Sequence, residues 1–306
     1  MPSVALISTN PESVGHDDAD LVPLRAALEN AGFDVAVPSW RDPAVDWAGF
    51  ELAIMRSPWD YAERLPDFLA WLDRVSALTS IMNAPEIIRW NLDKRYLAEL
   101  ADRGVRVVES HFCTSIEQVD AALALLASER VVVKPSVSAG SRNTGLFDRS
   151  DPRARRLAEH IIAIGKKVMV QPAIDSVAMV GERALVYFDG VFSHALTKGP
   201  LLDLGGELLG GVYTEQIGAT DATAAEILLA DTTMRVMAGL FLERGIGVGG
   251  ATPLYARLDI VETDDGPALL EAELFEPSYF VHTAPGSEHR FVVAVMARLR
   301  AHYLTT

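Results

Sequence analysis

The most informative part of the chain reads Tyr255-Ala-Arg-Leu-Asp-Ile-Val261, then Glu262-Thr-Asp-Asp-Gly266, then Leu269-Leu-Glu-Ala-Glu-Leu-Phe-Glu-Pro277. Two runs of alternating apolar and polar residues flank an Asp-Gly pair, which predicts two antiparallel strands joined by a tight turn. Side chains alternate between the two faces of a strand, so charged residues that are two positions apart share a face. The stretch therefore predicts a hairpin that carries four charged side chains, Arg257, Asp259, Glu271 and Glu273.

The length of the predicted turn determines which of these charges meet. A three-residue loop, residues 264–266, would place Asp259 opposite Glu271. It would also place Arg257 opposite Glu273. A two-residue loop would shift the pairing by one residue and send the carboxylates to opposite faces. We expect the three-residue loop, which brings three carboxylates and one arginine together on one patch of the sheet.

Such a charged patch has two interpretations. Charges are common on the solvated face of a surface hairpin, and the pattern alone leaves this open. Exposed hairpins seldom carry strongly apolar flanks, however, and the flanks here are Leu258, Ile260, Leu270, Leu274 and Phe275. Buried carboxylates repel one another unless a cation lies among them, and hard oxygen ligands suit Mg²⁺ and the phosphates that it binds. We therefore favour a magnesium site.

The composition indicates a globular chain with a large core. The chain has 306 residues, of which 49% are hydrophobic, enough for two domains or for one with insertions. The formal net charge is -15 with no run of lysine and arginine, which argues against nucleic acid or an anionic membrane as a partner. A few local cations still suffice for a nucleotide. The single cysteine, Cys113, excludes an internal disulfide and is predicted to be a buried small hydrophobe.

Nothing in the sequence predicts export or membrane insertion. The N-terminal residues lack a basic flank and soon become polar, which is unlike a signal peptide. No apolar run approaches the ~20 residues that a membrane span needs. We therefore expect a cytoplasmic protein.

The chain is predicted to divide into three segments. Residues 1–90 alternate short apolar strands with amphipathic helices, which is typical of a mostly parallel sheet. Residues 91–175 form a second unit, and residues 176–306 form a third unit that contains the charged hairpin. A Gly-rich loop is predicted in this third unit, at residues 205–211.

The loop Arg56-Ser-Pro-Trp-Asp-Tyr61 follows a predicted strand of the first segment. Ligands bind at the carboxyl ends of parallel strands, so this loop, with its cation, carboxylate and two aromatic rings, is a candidate for substrate contact. The alternative is structural, with Trp59 packed and Arg56 paired with Asp60. The sequence does not distinguish the two.

A second candidate site follows the predicted strand Val131–Pro135. Lys134 lies at its end, before Ser136-Val-Ser-Ala-Gly-Ser-Arg-Asn-Thr-Gly145, whose small residues and backbone amides suit phosphate binding. The loop has the glycine spacing of a Walker A motif, but Leu146-Phe147 stands where Lys-Ser/Thr is required. No Gly-x-Gly-x-x-Gly follows the first strand either, which disfavours an NAD-dependent oxidoreductase. A surface turn is the alternative for the loop alone, but the loop and the carboxylate hairpin together favour a nucleotide with Mg²⁺.

The order of several short motifs resembles that of the ATP-grasp ligases, in the branch that contains glutathione synthetase and ribosomal-protein glutamate ligase. Each motif is short, but their order and spacing are specific and span most of the chain. The motifs are Asn91-Leu-Asp-Lys94, Val133-Lys134 with its loop, Val170-Gln171-Pro-Ala-Ile174, Gly181-Glu182-Arg183, Lys198, Gly210-Gly211, Arg257-Leu-Asp259 and Glu271-Ala-Glu273.

The resemblance implies an α/β fold in three parts, α+β in its ATP-binding region. Residues 1–90 would be a pre-ATP-grasp domain with a parallel sheet. Residues 91–175 would be a small lid domain. Residues 176–306 would be a larger domain with an antiparallel sheet and the metal site.

The resemblance also implies the cofactors ATP and Mg²⁺ and a role for fourteen residues. Asp259, Glu271 and Glu273 would carry Mg²⁺, and Arg257 would be the catalytic residue that faces the transferred phosphoryl group. Glu273 departs from the family, which often has Asn at this position. The residues implied to bind ATP are Lys94 and Lys134 at the phosphates, Ser138 and Gly140 in the loop that closes over them, Gln171, Pro172, Ala173 and Ile174 around adenine, Glu182 at the ribose, and Lys198.

Three further pieces are similar to the cyclo-ligases that form D-cycloserine from O-ureido-D-serine: Arg56–Tyr61, Arg89-Trp-Asn-Leu-Asp-Lys94 and Phe275-Glu-Pro-Ser278. The resemblance implies a ligase that activates the carboxylate of a small amino-acid-like substrate as an acyl phosphate. A nitrogen nucleophile then attacks, and ADP and phosphate are released. In a cyclo-ligase that nitrogen belongs to the same substrate.

An alternative function is that of a degenerate relative that binds ATP without turnover and acts in regulation. The intact set of Arg257 and three carboxylates favours an enzyme, because a mere binding protein would not need it. The sequence leaves open whether the chain forms a homo-oligomer.

Overall fold

A computed structural model describes residues 1–10, 17–200, 202, 204, 206–208, 216–246 and 248–305. The strands in these ranges form three sheets. None of the helices in the described ranges combines the length and the apolar character needed to cross a membrane.

The first sheet is parallel, which confirms the prediction from the alternating strands and helices. Its strands and helices are β1 (Ser3–Ser8), α1 (Leu21–Asn30), β2 (Asp34–Ala36), β3 (Leu52–Ser57), α2 (Leu65–Ser76), β4 (Ser80–Met82), α3 (Pro85–Asn91) and α4 (Tyr96–Asp102), with 3-10 turns at Trp47–Gly49 and Tyr61–Glu63. The strand order is β2-β1-β3-β4. Successive residues from Val4 to Ile7 pack alternately on the side of α1 and on the side of α2. Both faces are covered, so the central strands are continuously apolar.

The second sheet is antiparallel and is covered by helices on one face. Its elements are β5 (His111–Cys113), α5 (Ile116–Leu125), β6 (Arg130–Pro135), β7 (Thr144–Asp148), α6 (Pro152–Ala163), β8 (Val168–Pro172) and β11 (Glu207–Leu208). The strand order is β11-β7-β6-β8-β5. Val131 and Val133 pack against α5 and α6, so the alternate residues Val132 and Lys134 point away from the helices.

The third sheet is also antiparallel and carries the charged hairpin. Its elements are α7 (Asp175–Val180), β9 (Glu182–Phe188), β10 (Val191–Lys198), β12 (Ile217–Thr220), α8 (Ala224–Glu243), α9 (Val248–Ala251), β13 (Tyr255–Thr263), β14 (Gly266–Glu273) and α10 (Ser287–Thr305), with a 3-10 turn at Val281–Thr283. The strand order is β12-β10-β9-β13-β14. Leu258 and Ile260 join the core formed with α8, so Arg257 and Asp259 lie on the opposite face.

The predicted segment boundaries at residues 90 and 175 stay a prediction. The short strand β11 pairs with β7 of the second sheet, although residues 207–208 belong to the third predicted segment. Most of the predicted Gly-rich loop at residues 205–211, including Gly210-Gly211, lies outside the described residues.

The charged face of the β13–β14 hairpin is confirmed. Arg257 pairs with Glu273, and Asp259 pairs with Glu271. All four side chains therefore lie on one face of the sheet, opposite α8. The predicted convergence of three carboxylates and one arginine is present in the fold.

The predicted three-residue loop is wrong, and the pairing arises in another way. Thr263 pairs with Gly266, so the turn contains only two residues, 264 and 265. The pairing shifts by one residue between Asp259 and Ile260, because Leu270 of β14 is an extra residue that forms a β-bulge. The bulge restores the register that a two-residue turn alone would have lost.

Polar side chains from α3 and α4 cover the free edge of β14. Asn91 donates to the carbonyl oxygen of Ala272 at 2.7 Å and accepts from the Leu274 N–H at 2.8 Å. The Tyr96 hydroxyl donates to the Ala272 carbonyl at 2.8 Å and accepts from its N–H at 2.9 Å. These contacts satisfy backbone groups that an edge strand leaves unpaired. They also fix the turn between the two helices, which carries Lys94, against β14.

Arg56 is fully buried where the first sheet meets the segment after β14. Its Nη2 lies 3.2 Å from the carboxylate of Asp18 and 3.4 Å from that of Asp20. Nη1 donates to the carbonyl of Pro277 at 3.0 Å, and the guanidinium lies 3.8 Å from the centre of the Tyr279 ring. The arginine therefore joins β3 to the segment that follows the charged hairpin.

The side chain of Asp20 fixes the backbone of the same segment. Its carboxylate accepts hydrogen bonds from the N–H groups of Tyr279, Phe280 and Val281, at 2.5, 3.0 and 2.9 Å. Phe280 has a positive φ of 51°, a conformation that needs such support in a residue other than glycine. The conformation of residues 277–281 thus depends on a carboxylate that lies directly before α1.

The alternative pairing of Arg56 with Asp60 is wrong. Asp60 instead accepts hydrogen bonds from Trp40 at 2.7 Å and Arg41 at 3.1 Å. Trp59 donates from Nε1 to the carbonyl of Glu276 at 3.0 Å, and so forms a second link between the first sheet and the end of the hairpin.

We predict that Arg56→Leu is strongly destabilising, because it leaves Asp18 and Asp20 buried without their cation. The expected loss is about 3–5 kcal/mol of unfolding free energy, measured by urea denaturation. The matched control is Arg25→Ala, which removes an exposed ion pair with Glu29 on α1 and should cost less than about 0.5 kcal/mol. Equal denaturation midpoints for the two variants would contradict this account of Arg56.

Candidate active site

A cavity of about 730 Å³ lies where the three sheets meet. All fourteen predicted site residues line it. The charged residues of its wall include Lys134 from β6, Glu182 from β9, Lys198 from β10 and Arg257 from β13. Both antiparallel sheets therefore contribute charged side chains to the cavity.

Arg257 and Lys198 hold Asp259 in place. Arg257 donates from Nε and Nη2 to the two carboxylate oxygens of Asp259, at 2.8 and 3.0 Å. Its Nη2 also donates to Glu273 at 2.6 Å. The ammonium of Lys198 lies 2.9 Å from Asp259 and 3.2 Å from Glu182. Two cations and three carboxylates therefore form one continuous network across β9, β10, β13 and β14.

Lys94 connects this hairpin to the loop after β6. Its ammonium lies 2.8 Å from Glu271 and donates to the carbonyl of Ser138 at 3.4 Å. Its backbone N–H donates to the carbonyl of Ser136 at 2.9 Å. The predicted phosphate-binding lysine is thus tied to Glu271 of the hairpin and, through its ammonium and its backbone, to the loop after β6.

Lys134 differs from the other cations of the site. Burial lowers the pKa of its ammonium, and Glu271 opposes this shift only in part. Within the described residues, Lys134 has neither an ion-pair partner nor a hydrogen-bond partner for its ammonium. An unpaired, half-buried cation that lines a cavity is suited to an anionic ligand.

The loop after β6 adopts left-handed backbone conformations, with φ of 60° at Gly140, 50° at Ser141 and 55° at Asn143. The Tyr61 hydroxyl donates to the carbonyl of Ser138 at 3.4 Å, and Arg142 forms an ion pair with Glu63. Both contacts join the loop to the 3-10 turn that follows β3. The predicted closing loop therefore lies against the first sheet's ligand-facing end.

The residues predicted to surround adenine lie at the end of β8. Gln171 is in one row across the sheet with Val132 and Leu146, and all three line the cavity. Their row offers an apolar surface of the kind that accepts a ring. The Ala173 N–H donates to the carbonyl of Arg130 at 2.9 Å, so this amide is already used within the protein. Val132 and Leu146 were absent from the prediction, although the alternation along β6 and β7 would have identified them.

The ion pairs determine the protonation of two of the hairpin carboxylates. Burial raises the pKa of Asp259, but Arg257 and Lys198 outweigh it and hold the pKa below its ordinary value. Burial likewise raises the pKa of Glu271, but Lys94 and then Lys134 bring it below its ordinary value. Both groups are therefore ionised at neutral pH.

Glu273 and Glu276 show the opposite behaviour. Burial raises the pKa of Glu273 to about 7; Arg257 opposes the shift, and Asp259 and Glu271 add to it. Burial, and then Glu273, raises the pKa of Glu276 well above its ordinary value. This face therefore carries more negative charge than its cations balance.

The hairpin carboxylates fit a divalent cation in charge and in chemistry. Burial raises the pKa of Glu273 most, and a cation of charge +2 would offset both this effect and the added repulsion from Asp259 and Glu271. Carboxylate oxygens also suit Mg²⁺. In the part of the chain that the structure describes, no three His, Cys, Asp or Glu side chains form a metal-binding cluster. Arg257, Lys94 and Lys198 take up the carboxylate oxygens instead. The assignment of Asp259, Glu271 and Glu273 as ligands stays a prediction.

Trp59 and Arg142 line the cavity and lie in loops that the sequence offered as candidates. Four further residues of the cavity wall were not predicted as site residues, namely Asp18, Lys166, Glu276 and Phe280. Glu276 lies beyond the end of β14, and its position in the cavity depends on the turn that Asp20 and Arg56 fix. The sequence carries no local signal for that turn.

Known proteins resemble this chain over most of its length. Residues 4–83 match the family described as D-cycloserine synthetase DcsG, N-terminal domain. The chain is 36% identical to the cycloserine biosynthesis protein DcsG of Streptomyces lavendulae over 293 aligned residues. The alignment covers 92% of this chain and 95% of that protein. The chain belongs to the DcsG family of ATP-grasp ligases.

Solved structures agree with membership of the DcsG family. The crystal structure of D-cycloserine synthetase DcsG matches with a TM-score of 0.87 and 34% identity, and covers 97% of this chain and 99% of that one. The ATP-grasp ligase PsnB, in complex with a phosphomimetic variant of its minimal precursor, Mg and ADP, matches with a TM-score of 0.62. The match covers 97% of this chain and 99% of PsnB. At 17% identity it shows that the two proteins share the fold, and no more. The predicted ATP-grasp fold is confirmed, and this member of the DcsG family is an ATP-dependent carboxylate-amine ligase.

We predict that Lys134→Ala weakens the binding of a non-hydrolysable ATP analogue. Among the described lysines that line the cavity, Lys134 alone has no partner within the protein for its ammonium, which leaves that group available to a phosphate. The affinity should fall by about 10- to 100-fold, as expected for hydrogen bonds to a charged group. The melting temperature of the free protein should change little, since a buried unpaired ammonium does not stabilise the fold. Isothermal titration calorimetry and a thermal melt test the two statements.

The matched control for Lys134 is Lys167→Ala, which removes an outlying lysine that lies 3.7 Å from Asp93. This variant should bind the analogue normally. Unchanged affinity in Lys134→Ala would mean that Lys134 does not contact the nucleotide.

We predict that Glu271→Gln retains the fold but reduces magnesium-dependent turnover by about 100-fold or more, because an amide would replace a charged oxygen of a predicted Mg²⁺ ligand. The control is Glu262→Gln, an exposed residue of the same hairpin. Circular dichroism checks the fold, and ADP release at several Mg²⁺ concentrations checks the activity. Near-normal turnover by folded Glu271→Gln would remove Glu271 from the metal site.

Proposed function

We propose that this protein uses ATP to activate a small-molecule carboxylate as an acyl phosphate and then joins it to a nitrogen nucleophile, with release of ADP and phosphate. The observation that carries the proposal is the charge network of the cavity. Arg257 contacts Asp259 and Glu273 within one wall, and Lys94, Lys134 and Lys198 line the same space. This arrangement suits a polyphosphate and a carboxylate that must approach each other.

The first step is a phosphoryl transfer. A carboxylate oxygen of the substrate attacks the γ-phosphorus of ATP, and the bond from that phosphorus to the bridging oxygen of ADP breaks. Two anions meet in this step, so positioned cations lower its barrier. Arg257 is held rigidly by two carboxylates and the carbonyl of Ser278, and it would face both the substrate carboxylate and the transferred group.

Asp259, Glu271 and Glu273 would hold Mg²⁺. When bound, the metal neutralises and orients the terminal phosphates of ATP. The PsnB structure, a complex with Mg and ADP in the same fold, supports the use of Mg²⁺ together with a nucleotide. Lys94 would then be free to leave Glu271 for a phosphate oxygen, which its position beside Ser138 allows.

The second step joins carbon to nitrogen. The nitrogen attacks the carbonyl carbon of the acyl phosphate, phosphate leaves, and the nitrogen loses a proton. Water would hydrolyse the same intermediate, so the site must be closed. The loop from Ser138 to Gly145, already tied to Tyr61 and Glu63, would provide that closure.

The substrate that fits best is O-ureido-D-serine, cyclised to D-cycloserine. The 36% identity to a cycloserine biosynthesis protein over 92% of this chain supports it, as do the motifs at residues 56–61, 89–94 and 275–278. The product ring keeps one of the two ureido nitrogens. Atom balance therefore requires carbon dioxide and ammonia as further products, together with hydrolysis of ATP to ADP and phosphate.

The alternative is a relative that binds ATP without turnover. The intact network of Arg257 with Asp259 and Glu273, with Glu271 opposite Asp259, favours an enzyme. A protein that only bound nucleotide would not need an arginine held beside the transferred phosphoryl group.

We predict that O-ureido-D-serine causes the enzyme to release ADP and phosphate, and not AMP and pyrophosphate. Metal ligands and Arg257 around the terminal phosphates stabilise charge at the γ-phosphorus and are badly placed for attack at the α-phosphorus. The measurement is an incubation with ATP, Mg²⁺ and substrate, followed by chromatographic separation of the nucleotides.

Reactions that lack the amino acid or Mg²⁺ are the controls for nucleotide release. AMP as the substrate-dependent product would overturn both the mechanism and the role of Arg257. ATP that binds but is never turned over, with any of a panel of amino acids, would favour the alternative function.

A further inference from the structure

Glu276 is an unusual member of the cavity wall. It follows β14, and its side chain lies close to the Tyr61 hydroxyl. Trp59 donates to its backbone carbonyl, so the residue is fixed on two sides by the first sheet's ligand-facing loop. Within the described ranges no lysine, arginine or histidine forms an ion pair with its carboxylate.

Most other carboxylates of the cavity wall have a cationic partner. Asp17 is the exception among the described residues, but it is exposed to solvent, whereas Glu276 is partly buried. A buried carboxylate without a counter-charge is unfavourable unless a ligand supplies one. The paired carboxylates are Asp18 and Asp20 with Arg56, Glu63 with Arg142, Asp175 with Arg130, Glu182 and Asp259 with Lys198, Glu271 with Lys94, and Glu273 with Arg257.

Glu276 also lies close to the predicted position of the substrate carboxylate. Arg257 donates to Glu273 at 2.6 Å and to the carbonyl of Ser278 at 3.2 Å, which are residues on either side of Glu276 in the chain. A substrate carboxylate that faces Arg257 would therefore lie beside the turn that carries Glu276. In an α-amino acid the ammonium group is one carbon away from the carboxylate.

We propose that Glu276 binds the ammonium group of an α-amino acid substrate and selects amino acids over simple carboxylic acids. The inference rests on the proposed function. It names Glu276 as a specificity-determining residue, because it contacts the substrate away from the reacting carboxylate.

The proposed contact also determines which nitrogen reacts. An ammonium group that donates to Glu276 has no free electron pair, so it does not attack the acyl phosphate. Attack by the α-nitrogen on its own carboxyl carbon would in any case close a strained three-membered ring. A second nitrogen, further along the same side chain, remains available as the nucleophile.

The decisive experiment compares two substrates that differ only in the ammonium group: O-ureido-D-serine and its desamino analogue, 3-(ureidooxy)propanoic acid. Glu276→Gln should lower kcat/KM for the amino acid by about 10- to 100-fold, mainly through KM, since it removes a charged hydrogen-bond acceptor. The value for the desamino analogue should change by less than about threefold, because that substrate makes no such contact. The matched control is Asp17→Asn, which should leave the preference for the amino acid intact.

A binding measurement keeps the proposal testable even without turnover. In the presence of Mg²⁺ and a non-hydrolysable ATP analogue, calorimetry compares D-serine with 3-hydroxypropanoate, which again differ only in the ammonium group. The unmodified protein should bind D-serine more tightly, and Glu276→Gln should bind the two compounds alike.

Three results would overturn the assignment of Glu276. These are an equal loss for both substrates in Glu276→Gln, no loss in that variant, or a selective loss in Asp17→Asn. Failure of the proposed function looks different, because the unmodified protein would then release no ADP with any amino acid.

Discussion

Pairing of buried charge on one face of the β13–β14 hairpin is the constraint that organises this protein. Asp259, Glu271 and Glu273 share that face, and three carboxylates in such a place are tolerated only with cations between them. Arg257 comes from the same strand, whereas Lys198 and Lys94 reach the face from β10 and from the turn after α3. The site is thus assembled by the same ion pairs that make its burial tolerable.

The first sheet contributes to this site through long-range polar contacts. Arg56 and Asp20 fix the segment after β14, and Trp59 and Tyr61 lie against Glu276 in the same segment. The parallel sheet therefore has two tasks. It forms its own core with α1 and α2, and it sets the shape of the cavity wall beyond the charged face of the hairpin. This part of the wall thus depends on a sheet whose strands hold none of the predicted ATP-binding residues.

Much of this arrangement is predictable from the sequence, because strands and helices follow from local periodicity. The parallel first sheet, the hairpin and its charged face are all local patterns, and all are confirmed. The turn length was wrong because a β-bulge leaves no mark on a pattern of alternating residues, and Leu270 looks like any other apolar flank. The partner of Arg56 was wrong for another reason. Asp18 and Asp20 lie far away in the sequence, and Asp60 was merely the nearest carboxylate.

The bulge at Leu270 divides β14 into two stretches that pair with β13 in different registers. From Gly266 to Leu269 the register is the one that the two-residue turn sets. From Glu271 to Glu273 it is shifted by one residue. Changes in the tip therefore need not reach the carboxylates. Loss of the bulge with Leu270 retained would have the opposite effect. Leu270 would then lie opposite Asp259, and Glu271 and Glu273 would point towards the apolar side chains that pack against α8. Deletion of Leu270 would instead leave Glu271 opposite Asp259, because Glu271 would then follow Leu269 directly.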